Sequence, residues 1–417
     1  TTANRDYSLV LSNTSRGNLG LTKTGANTLT LTASNTYTGL TTVSAGTLAY
    51  GTNNAIADAS AVTVNRGTLD IGAFSDTVGA INVTNGGTIT GTTGVLTGTS
   101  MTVATAGTNT LISANLGGAY RLSLDGMNLG AGTVTLSGSN SFQGVNLLNR
   151  HPVRLNINNN NALGTGSLSI ANSEGANTSG SVVTVTNTFV IASSTSLKWM
   201  GGHLVAGTLV LNGPASTPVL YMTNAGSLTF DKLDSDTANK AFTLGDNALL
   251  DGQLVIKEAA GSNISGAVGI GINQGIWNLL LGSGRALGTG TISAAGAGFV
   301  IQGSKDLTGA NAFSNDWVLN WNSGESALYT FSGSNSIALN GTVTGSNNIN
   351  APIINNISSG KTLTLTNVRI NTGVNADKFI SIRGSGDTII TGTVSNGNEA
   401  LIRGLTYTCL LYTSDAA

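Results

Sequence analysis

Acidic side chains are the residues of this sequence best suited to bind a metal or to cleave a sugar. The densest cluster is FDKLDSDTANK, residues 230–240, which holds Asp231, Asp234 and Asp236. Carboxylates this close together can bind Ca²⁺ or act as the acid and base of glycoside cleavage. The spacing matches no EF-hand calcium loop and lysines stand within the run, so we interpret the cluster as a solvated loop.

Aromatic residues offer a second kind of site, one that binds sugar rings. Trp317 and Trp321 stand four residues apart, and side chains at even separations lie on one face of a strand. Paired exposed indoles could stack on carbohydrate, whereas buried indoles would fill a wide part of the core. The two histidines, His151 and His203, are far apart with no cysteine nearby. We therefore predict no catalytic residue, no metal site and no cofactor.

Charge and composition exclude several classes of partner. Of 417 residues only 9% are charged, and the net charge is −1, against roughly 25% charged residues in ordinary globular proteins. Without a basic run, binding to nucleic acid is not expected. The single cysteine, Cys409, lies in CLLYTSDAA, residues 409–417, which resembles translated sequencing adapter. We expect residues 1–408 to be one continuous repeat region of a longer protein, a metagenomic fragment with no disulfides.

Short segments that alternate apolar and small polar residues recur along the whole chain. Such alternation predicts strands with one buried face, and threonine suits the outward positions of a pleated surface. Clear examples are residues 28–32, 67–71, 132–136, 166–170, 207–211, 226–230, 252–256 and 361–365. We find no convincing amphipathic helix.

The spacing of these segments indicates a repeat architecture. A glycine two positions before an apolar residue recurs at Gly46, Gly67 and Gly87, and again at Gly207, Gly226 and Gly252. A strand-and-turn unit of about 20 residues cannot bury its apolar face alone, so neighbouring units must stack. The fold predicted is all-β: an elongated, right-handed, single-stranded parallel β-helix. An array of β-sandwich domains is the alternative, although it would require more hairpin turns than the sequence contains.

A longer phrase also recurs, as LTLTASNTYTG at residues 29–39, VTLSGSNSFQG at 134–144 and YTFSGSNSIALNG at 329–341. The phrases align at an asparagine, and we expect these asparagines to stack in ladders between coils. The aligned and flanking repeat positions that we expect to be structural are Asn35, Tyr37, Gly39, Gly46, Asn140, Phe142, Gly144 and Asn335.

Residues 25–48, GANTLTLTASNTYTGLTTVSAGTL, resemble the autotransporter-associated β-strand repeat, also called the passenger-associated repeat. Ala33 and Leu40 depart from its usual glycines. The second copy departs after residue 147, where Pro152 occupies a strand position. Residues 150–154 could therefore be a loop, a sheet edge or a sequence error.

The resemblance implies a secreted protein or one at the bacterial cell surface, associated with the outer membrane. The chain would be a non-catalytic, adhesin-like stalk in the passenger region, upstream of a translocator or anchor that this sequence does not include. Extracellular polysaccharide or ligands on host or other cell surfaces are the partners that this implies. A carbohydrate-binding or polysaccharide-degrading β-helix protein is the alternative.

Overall fold

Short β-strands are the main regular secondary structure of the described residues in the computed structural model. Contacts divide it into two compact units, Thr1–Lys198 with Gly202–Gly207, and Trp199–Gly201 with Thr208–Ala417. The structure describes residues 4–7, 10–13, 17–126, 132–147, 153–171, 173–177, 182–191, 196–199, 201–212, 218–222, 226–235, 241–245, 252–257, 264–270, 276–294, 298–320, 328–345, 351–370, 379–396 and 404–407.

The strands of the first unit are β1 (Arg5–Tyr7), β2 (Leu21–Lys23), β3 (Thr28–Leu31), β4 (Thr41–Val43), β5 (Thr47–Tyr50), β6 (Val62–Asn65), β7 (Thr68–Asp70), β8 (Asp76–Thr77), β9 (Ala80–Thr84), β10 (Thr88–Thr90), β11 (Val95–Thr97), β12 (Ser100–Ala104), β13 (Thr110–Ile112), β14 (Asn115–Gly117), β15 (Leu122–Asp125), β16 (Thr133–Leu136), β17 (Val145–Leu147), β18 (Arg154–Ile157), β19 (Leu168–Ile170), β20 (Ser173–Asn177), β21 (Val182–Thr184) and β22 (Phe189–Ile191). The boundary between the units falls within β23 (Ser196–Trp199) and β24 (Gly202–Leu211).

The first unit is a solenoid in which each coil adds one strand to each of two long parallel sheets. One sheet runs through β1, β3, β5, β7, β10, β13, β16, β18 and β20, and the other through β2, β4, β6, β9, β12, β15, β17, β19 and β22. A short third sheet, β8–β11–β14, closes part of the cross-section. Because equivalent residues of successive coils are paired, each inward position becomes a column of stacked side chains.

These columns form the core of the first unit. In the second sheet, the inward column contains Lys23 and then only aliphatic residues, and all of its members are buried: Val43, Val64, Val83, Val103, Leu124, Leu147, Ile170 and Ile191. The outward column of the same sheet contains uncharged polar side chains as far as β19 and then Val190 of β22: Thr22, Thr42, Thr63, Asn82, Thr102, Ser123, Asn146 and Ser169 precede that valine. The unit thus avoids stacking like charges between coils, which would destabilise the sheet.

The strands of the second unit are β25 (Val219–Met222), β26 (Gly226–Ser235), β27 (Phe242–Leu244), β28 (Gly252–Ile256), β29 (Val268–Ile270), β30 (Trp277–Leu281), β31 (Ile292–Ala294), β32 (Gly298–Gly303), β33 (Trp317–Leu319), β34 (Leu328–Gly333), β35 (Ile337–Gly345), β36 (Ala351–Ile357), β37 (Thr362–Ile370), β38 (Phe379–Arg383), β39 (Asp387–Ile390), β40 (Val394–Asn396) and β41 (Gly404–Tyr407). Among the described residues of this unit, one 3-10 turn, Gly309–Asn311, interrupts them.

The second unit is also a parallel solenoid. One sheet joins the odd-numbered strands β25 to β39 and β40, and the other joins the even-numbered strands β26 to β38 and β41. Aromatic rings fill the space between the sheets. Phe299 contacts Trp317, Tyr329 and Phe331, with ring centroids 5.5–5.6 Å apart.

The fold confirms the predicted all-β, parallel solenoid and contradicts the sandwich alternative, since the strand pairs of the described residues are parallel rather than hairpins. Each strand segment predicted from alternation overlaps a strand. The predicted glycine spacing also corresponds to stacking, because Thr68 N–H donates to Gly46 O at 2.9 Å and Thr88 N–H donates to Gly67 O at 3.0 Å. Within the described residues, no helix has the length and apolar character needed to cross a membrane.

Candidate functional site

The acidic cluster predicted from the sequence lies on the outside of β26 and its carboxylates are paired. Asp231 is 62% exposed, and its Oδ1 is 3.1 Å from Lys257 Nζ. Asp234 Oδ2 is 2.6 Å from Lys232 Nζ, and Asp234 Oδ1 accepts a hydrogen bond from Ser235 N–H. Asp236 lies outside the described residues. Both described carboxylates are thus bound to lysines of the solenoid surface.

The tryptophan site is corrected by the structure. Trp317 is fully buried, at 0% exposure, and packs edge-on against Phe313 with ring centroids 5.3 Å apart. A buried ring has no free face on which a sugar could stack, so Trp317 is a core residue, and Trp321 lies outside the described residues. In the part of the chain that the structure describes, no three His, Cys, Asp or Glu side chains are grouped so that they could hold a metal ion.

The asparagines of the repeat phrase join neighbouring coils at a corner of the first unit. Asn35 Oδ1 accepts a hydrogen bond of 2.7 Å from Leu11 N–H, and its Nδ2 donates to Ala55 O at 2.6 Å. These partners lie 24 residues before and 20 residues after Asn35, which places them on the coils below and above. At this corner, where there is no strand, the side-chain amide therefore forms the coil-to-coil hydrogen bonds that a backbone amide forms within a sheet.

Asn140 repeats this arrangement. Its Oδ1 accepts from Leu116 N–H at 2.9 Å and its Nδ2 donates to Ala162 O at 2.8 Å. Asn335, in the second unit, differs, because its Nδ2 donates to Gly303 O at 2.9 Å, on an earlier coil. Each of these asparagines thus bonds to the backbone of another coil. A bond between asparagine side chains of two coils is found elsewhere, where Asn85 Nδ2 donates to Asn65 Oδ1 at 2.9 Å.

The remaining residues of the repeat phrase pack beneath this corner. Tyr37 and Phe142, each two residues after an asparagine of the phrase, are both fully buried. Tyr37 Oη lies 2.8 Å from Thr41 Oγ1, which lies 3.2 Å from Ser60 Oγ, and Ser60 Oγ donates to Gly39 O at 2.6 Å. This chain of hydroxyl groups satisfies the polar end of the buried tyrosine.

The glycines of the phrase lie where the backbone of a neighbouring coil leaves no room for a side chain. A Cβ at Gly39 would overlap the Leu19 carbonyl, and one at Gly144 would overlap the Ser167 carbonyl. Gly46 and Gly144 also have positive φ angles, 63° and 105°, which favour glycine. These positions of the repeat therefore leave room for a hydrogen atom but not for a methyl group.

A third residue at this corner of the first unit, Asp76, was not identified from the sequence. It occupies the place of Asn35 and Asn140, because its Oδ2 accepts a hydrogen bond of 3.0 Å from Ile56 N–H, 20 residues earlier. Asp76 is 3% exposed, and its Oδ1 has no hydrogen-bond partner among the described residues. A serine before each of the three Asx residues was the available signal, at Ser34, Ser75 and Ser139.

Burial raises the pKa of Asp76 to about 6. The N–H groups of Ile56 and Thr77 and the Tyr50 hydroxyl act in the opposite direction, and the Asp58 carboxylate adds to the rise. Tyr50 is buried beside Asp76, yet its hydroxyl also lacks hydrogen-bond geometry with any described residue. The pKa of Tyr50 is raised well above its ordinary value by burial and by Asp76.

Two copies of the phrase ALGTG, residues 162–166 and 286–290, share a contact that the sequence also left unrecognised. Asn187 Nδ2 donates to the carbonyls of Gly164 and Gly166, and Asn315 Nδ2 donates to those of Gly288 and Gly290. Each asparagine stands two residues before a buried aromatic residue, in NTF and NDW. One asparagine thus fixes the turn of the preceding coil in each unit.

Arg121 forms hydrogen bonds with the next two coils, whereas a pair of strands joins only adjacent coils. Its guanidinium donates to Asn146 Oδ1 at 2.7 Å and Val145 O at 3.1 Å on the next coil. It also donates to Ser167 O at 2.8 Å and Ser169 Oγ at 3.0 Å on the coil after that. Partial burial lowers the pKa of Arg121. Its planar fork matches this set of acceptors in a way that a lysine could not.

Lys23 is the charged exception in the inward column of the second sheet. It is buried, and its Nζ donates to three carbonyls, Thr24 O at 3.0 Å, Gly25 O at 2.7 Å and Ala45 O at 3.0 Å. Burial lowers its pKa. The ammonium group therefore binds turn carbonyls of two coils rather than a ligand.

Comparison with known proteins agrees with this structural interpretation. The model of the passenger-associated-transport-repeat family matches residues 21–49 and 129–149, which confirms the resemblance in these two segments. The first contains β2, β3 and β4, and the second contains β16 and β17. Neither the curated proteins nor the solved structures gave a match.

Proposed function

We propose that the chain is a non-catalytic, stalk-like passenger region displayed outside a bacterial cell, with an adhesin-like role. The observation that carries the proposal is the repeat itself: the segments that match a passenger-associated repeat are the coils whose Asn35 and Asn140 join neighbouring coils. The side chains of Asn35, Asn140, Arg121 and Lys23 form hydrogen bonds with backbone groups of the solenoid. Such an arrangement supports a scaffold rather than a catalytic groove.

The outward surface is consistent with this role. The outward column from Thr22 to Ser169 is uncharged, so it exerts no long-range attraction on charged partners. Contacts to a polysaccharide or to a cell-surface ligand would be weak individually and would gain strength by repetition along the coils.

Surface display tests the proposal directly. The full chain is placed between a secretion signal and the β-barrel of a known autotransporter, and intact cells are probed with antibody before and after protease treatment. We expect the chain to be detected on the surface and to be removed by protease. A barrel carrying an established passenger is the control. Retention of this chain inside cells that display the control passenger would contradict the proposal.

Incubation of the purified chain with a panel of polysaccharides separates the scaffold from the alternative function. We expect no release of reducing ends. Release that is lost in Asp231→Asn or Asp234→Asn would instead establish a polysaccharide-degrading enzyme, and Lys305→Gln provides a surface control for these variants.

A further inference from the structure

We propose that Asp76 is a proton-controlled joint between coils of the first unit, closed when the carboxyl group is protonated and loosened when it is ionised. The inference goes beyond the proposed function, because a stalk requires no response to pH. It rests on the replacement of an asparagine by an ionisable residue at one of the corner positions that hold neighbouring coils together.

The geometry of the three corner residues carries the comparison. Asn35, Asp76 and Asn140 each use one side-chain oxygen to accept a backbone N–H from 20–24 residues earlier in the sequence. In the asparagines the second polar atom is a donor with a carbonyl partner on the next coil. In Asp76 that atom is Oδ1, which lacks a described partner.

The protonation state of Asp76 determines whether its side chain has the hydrogen-bond donor and acceptor of an asparagine. A neutral carboxylic acid has an O–H donor in addition to an acceptor oxygen, as an amide has an N–H donor and an acceptor oxygen. An ionised carboxylate only accepts, and burial of an uncompensated negative charge is costly. The Asp76 side chain is almost completely buried, so we expect ionisation to be opposed by the folded coil and, once it occurs, to weaken it.

The groups that face Asp76 provide no positive charge to offset ionisation. Among the described residues, the titratable groups acting on it are Tyr50 from β5 and Asp58 from the turn before β6. The Asp76 carboxylate in turn acts on Tyr37, from the segment between β3 and β4. Tyr50 Oη, which also has no described partner, is the neighbour best placed to accept the Asp76 proton in a hydrogen bond.

Hydrogen exchange of the full chain tests the proposal at the joint itself. The readout is protection of peptides containing Ile56 between about pH 4 and pH 8, corrected for the intrinsic exchange rate. We expect protection in the wild type to fall on the order of 10- to 100-fold as the pH rises through the titration of Asp76. Asp76→Asn should remove this dependence, because the amide cannot ionise.

A reciprocal variant keeps the test independent of how Asp76→Asn folds. Asn140→Asp places a carboxyl group in the equivalent corner position and should create a new pH-dependent loss of protection near Leu116. Carboxyl-carbon NMR titration of aspartate-labelled chain should show an acid-range resonance with a raised midpoint that is absent from Asp76→Asn. An unchanged pH profile in Asp76→Asn, or no new dependence in a folded Asn140→Asp, would overturn the proposal.

Discussion

The backbone N–H of Ile56 donates a hydrogen bond of 3.0 Å to Asp76 Oδ2, across 20 residues and from one coil to the next. At this corner a side chain forms the coil-to-coil hydrogen bond that backbone groups form between paired strands. Leu116 and Asn140 form the same bond at 2.9 Å. The corner of the first unit is thus held by Asx side chains, and its strength depends on their chemistry.

Asp76→Asn should stabilise the first unit at neutral pH and change it little in acid. The folded pKa of Asp76, about 6, lies above the ordinary value of 3.8. The unfolded chain therefore loses this proton first as the pH rises, so wild-type stability falls between about pH 4 and pH 6 and then stays level. Two units of pKa correspond to about 3 kcal/mol. Denaturant unfolding at pH 4 and pH 7.5 measures the difference.

Asp70→Asn is the matched control for that change. Asp70 lies on β7 one turn away from Asp76, is not buried, and accepts a hydrogen bond from Gly72 N–H. We expect Asp70→Asn to cause a similarly small change in the free energy of unfolding at pH 4 and at pH 7.5. If Asp70→Asn and Asp76→Asn behaved alike, burial of Asp76 would not be the cause of the pH dependence.

Asn140→Ala should destabilise the chain because it removes both coil-to-coil bonds at once. Leu116 N–H and Ala162 O would be left without these partners, at about 1–3 kcal/mol for each buried group. Asn82→Ala, in an outward position of β9, should cost less than about 0.5 kcal/mol. Equal midpoints of urea unfolding for the two variants would contradict the role assigned to Asn140.

Gly166→Ala should prevent correct stacking of the coil. A Cβ at this position would overlap the Gln143 carbonyl oxygen of the preceding coil, and backbone cannot move aside as a flexible side chain can. Gly360→Ala is the comparison, since Gly360 has a positive φ of 79° with nothing within 4 Å of the added atom. We expect about 1 kcal/mol of loss there and much lower soluble yield or melting temperature for Gly166→Ala.

Arg121→Lys should destabilise the first unit although the charge is kept. The guanidinium reaches Asn146 Oδ1, Ser167 O and Ser169 Oγ from one side chain, and an ammonium group cannot present donors in this fork. We expect a loss of about 1–3 kcal/mol. Ser123→Ala, the outward neighbour on β15, is the control. Thermal unfolding that is unchanged in Arg121→Lys would show that the fork is dispensable.

Trp317→Ala should reduce stability by about 3–5 kcal/mol, the range for removing a large buried aromatic ring. The ring contacts Phe299, Phe313 and Phe331 in the core of the second unit. Trp317→Phe should lose less, because a smaller ring still fills part of the space. Circular dichroism melts compare the two. Sugar binding that disappears in Trp317→Phe without loss of stability would contradict the burial of this residue.

The alternating pattern was sufficient to predict the strands and their stacking. The period of the hydrophobic pattern indicates which side chains of a strand lie on the same face. The regular spacing of Gly46, Gly67 and Gly87 indicated the length of a coil. These features are local or periodic, so they can be read without knowing which coils are neighbours.

The details of the joints could not be predicted because they depend on contacts between coils of unequal length. The equivalence of Asp76 and Asn140 can be recognised only once their hydrogen-bond partners, Ile56 and Leu116, are known. These partners lie 20 and 24 residues away in the sequence. Trp317 shows a different limit. Period two indicates that alternate residues share a face, but the sequence does not state which face is inside.

The reach of Arg121 has a mechanical consequence. A chain under tension would ordinarily peel one coil at a time, releasing about 24 residues, or roughly 80 Å at about 3.4 Å per residue. Because Arg121 bonds Ser169, 48 residues away, the coils between them should resist together and then yield in one longer step of roughly 160 Å. One guanidinium would set the size of the force-extension steps in this part of the solenoid.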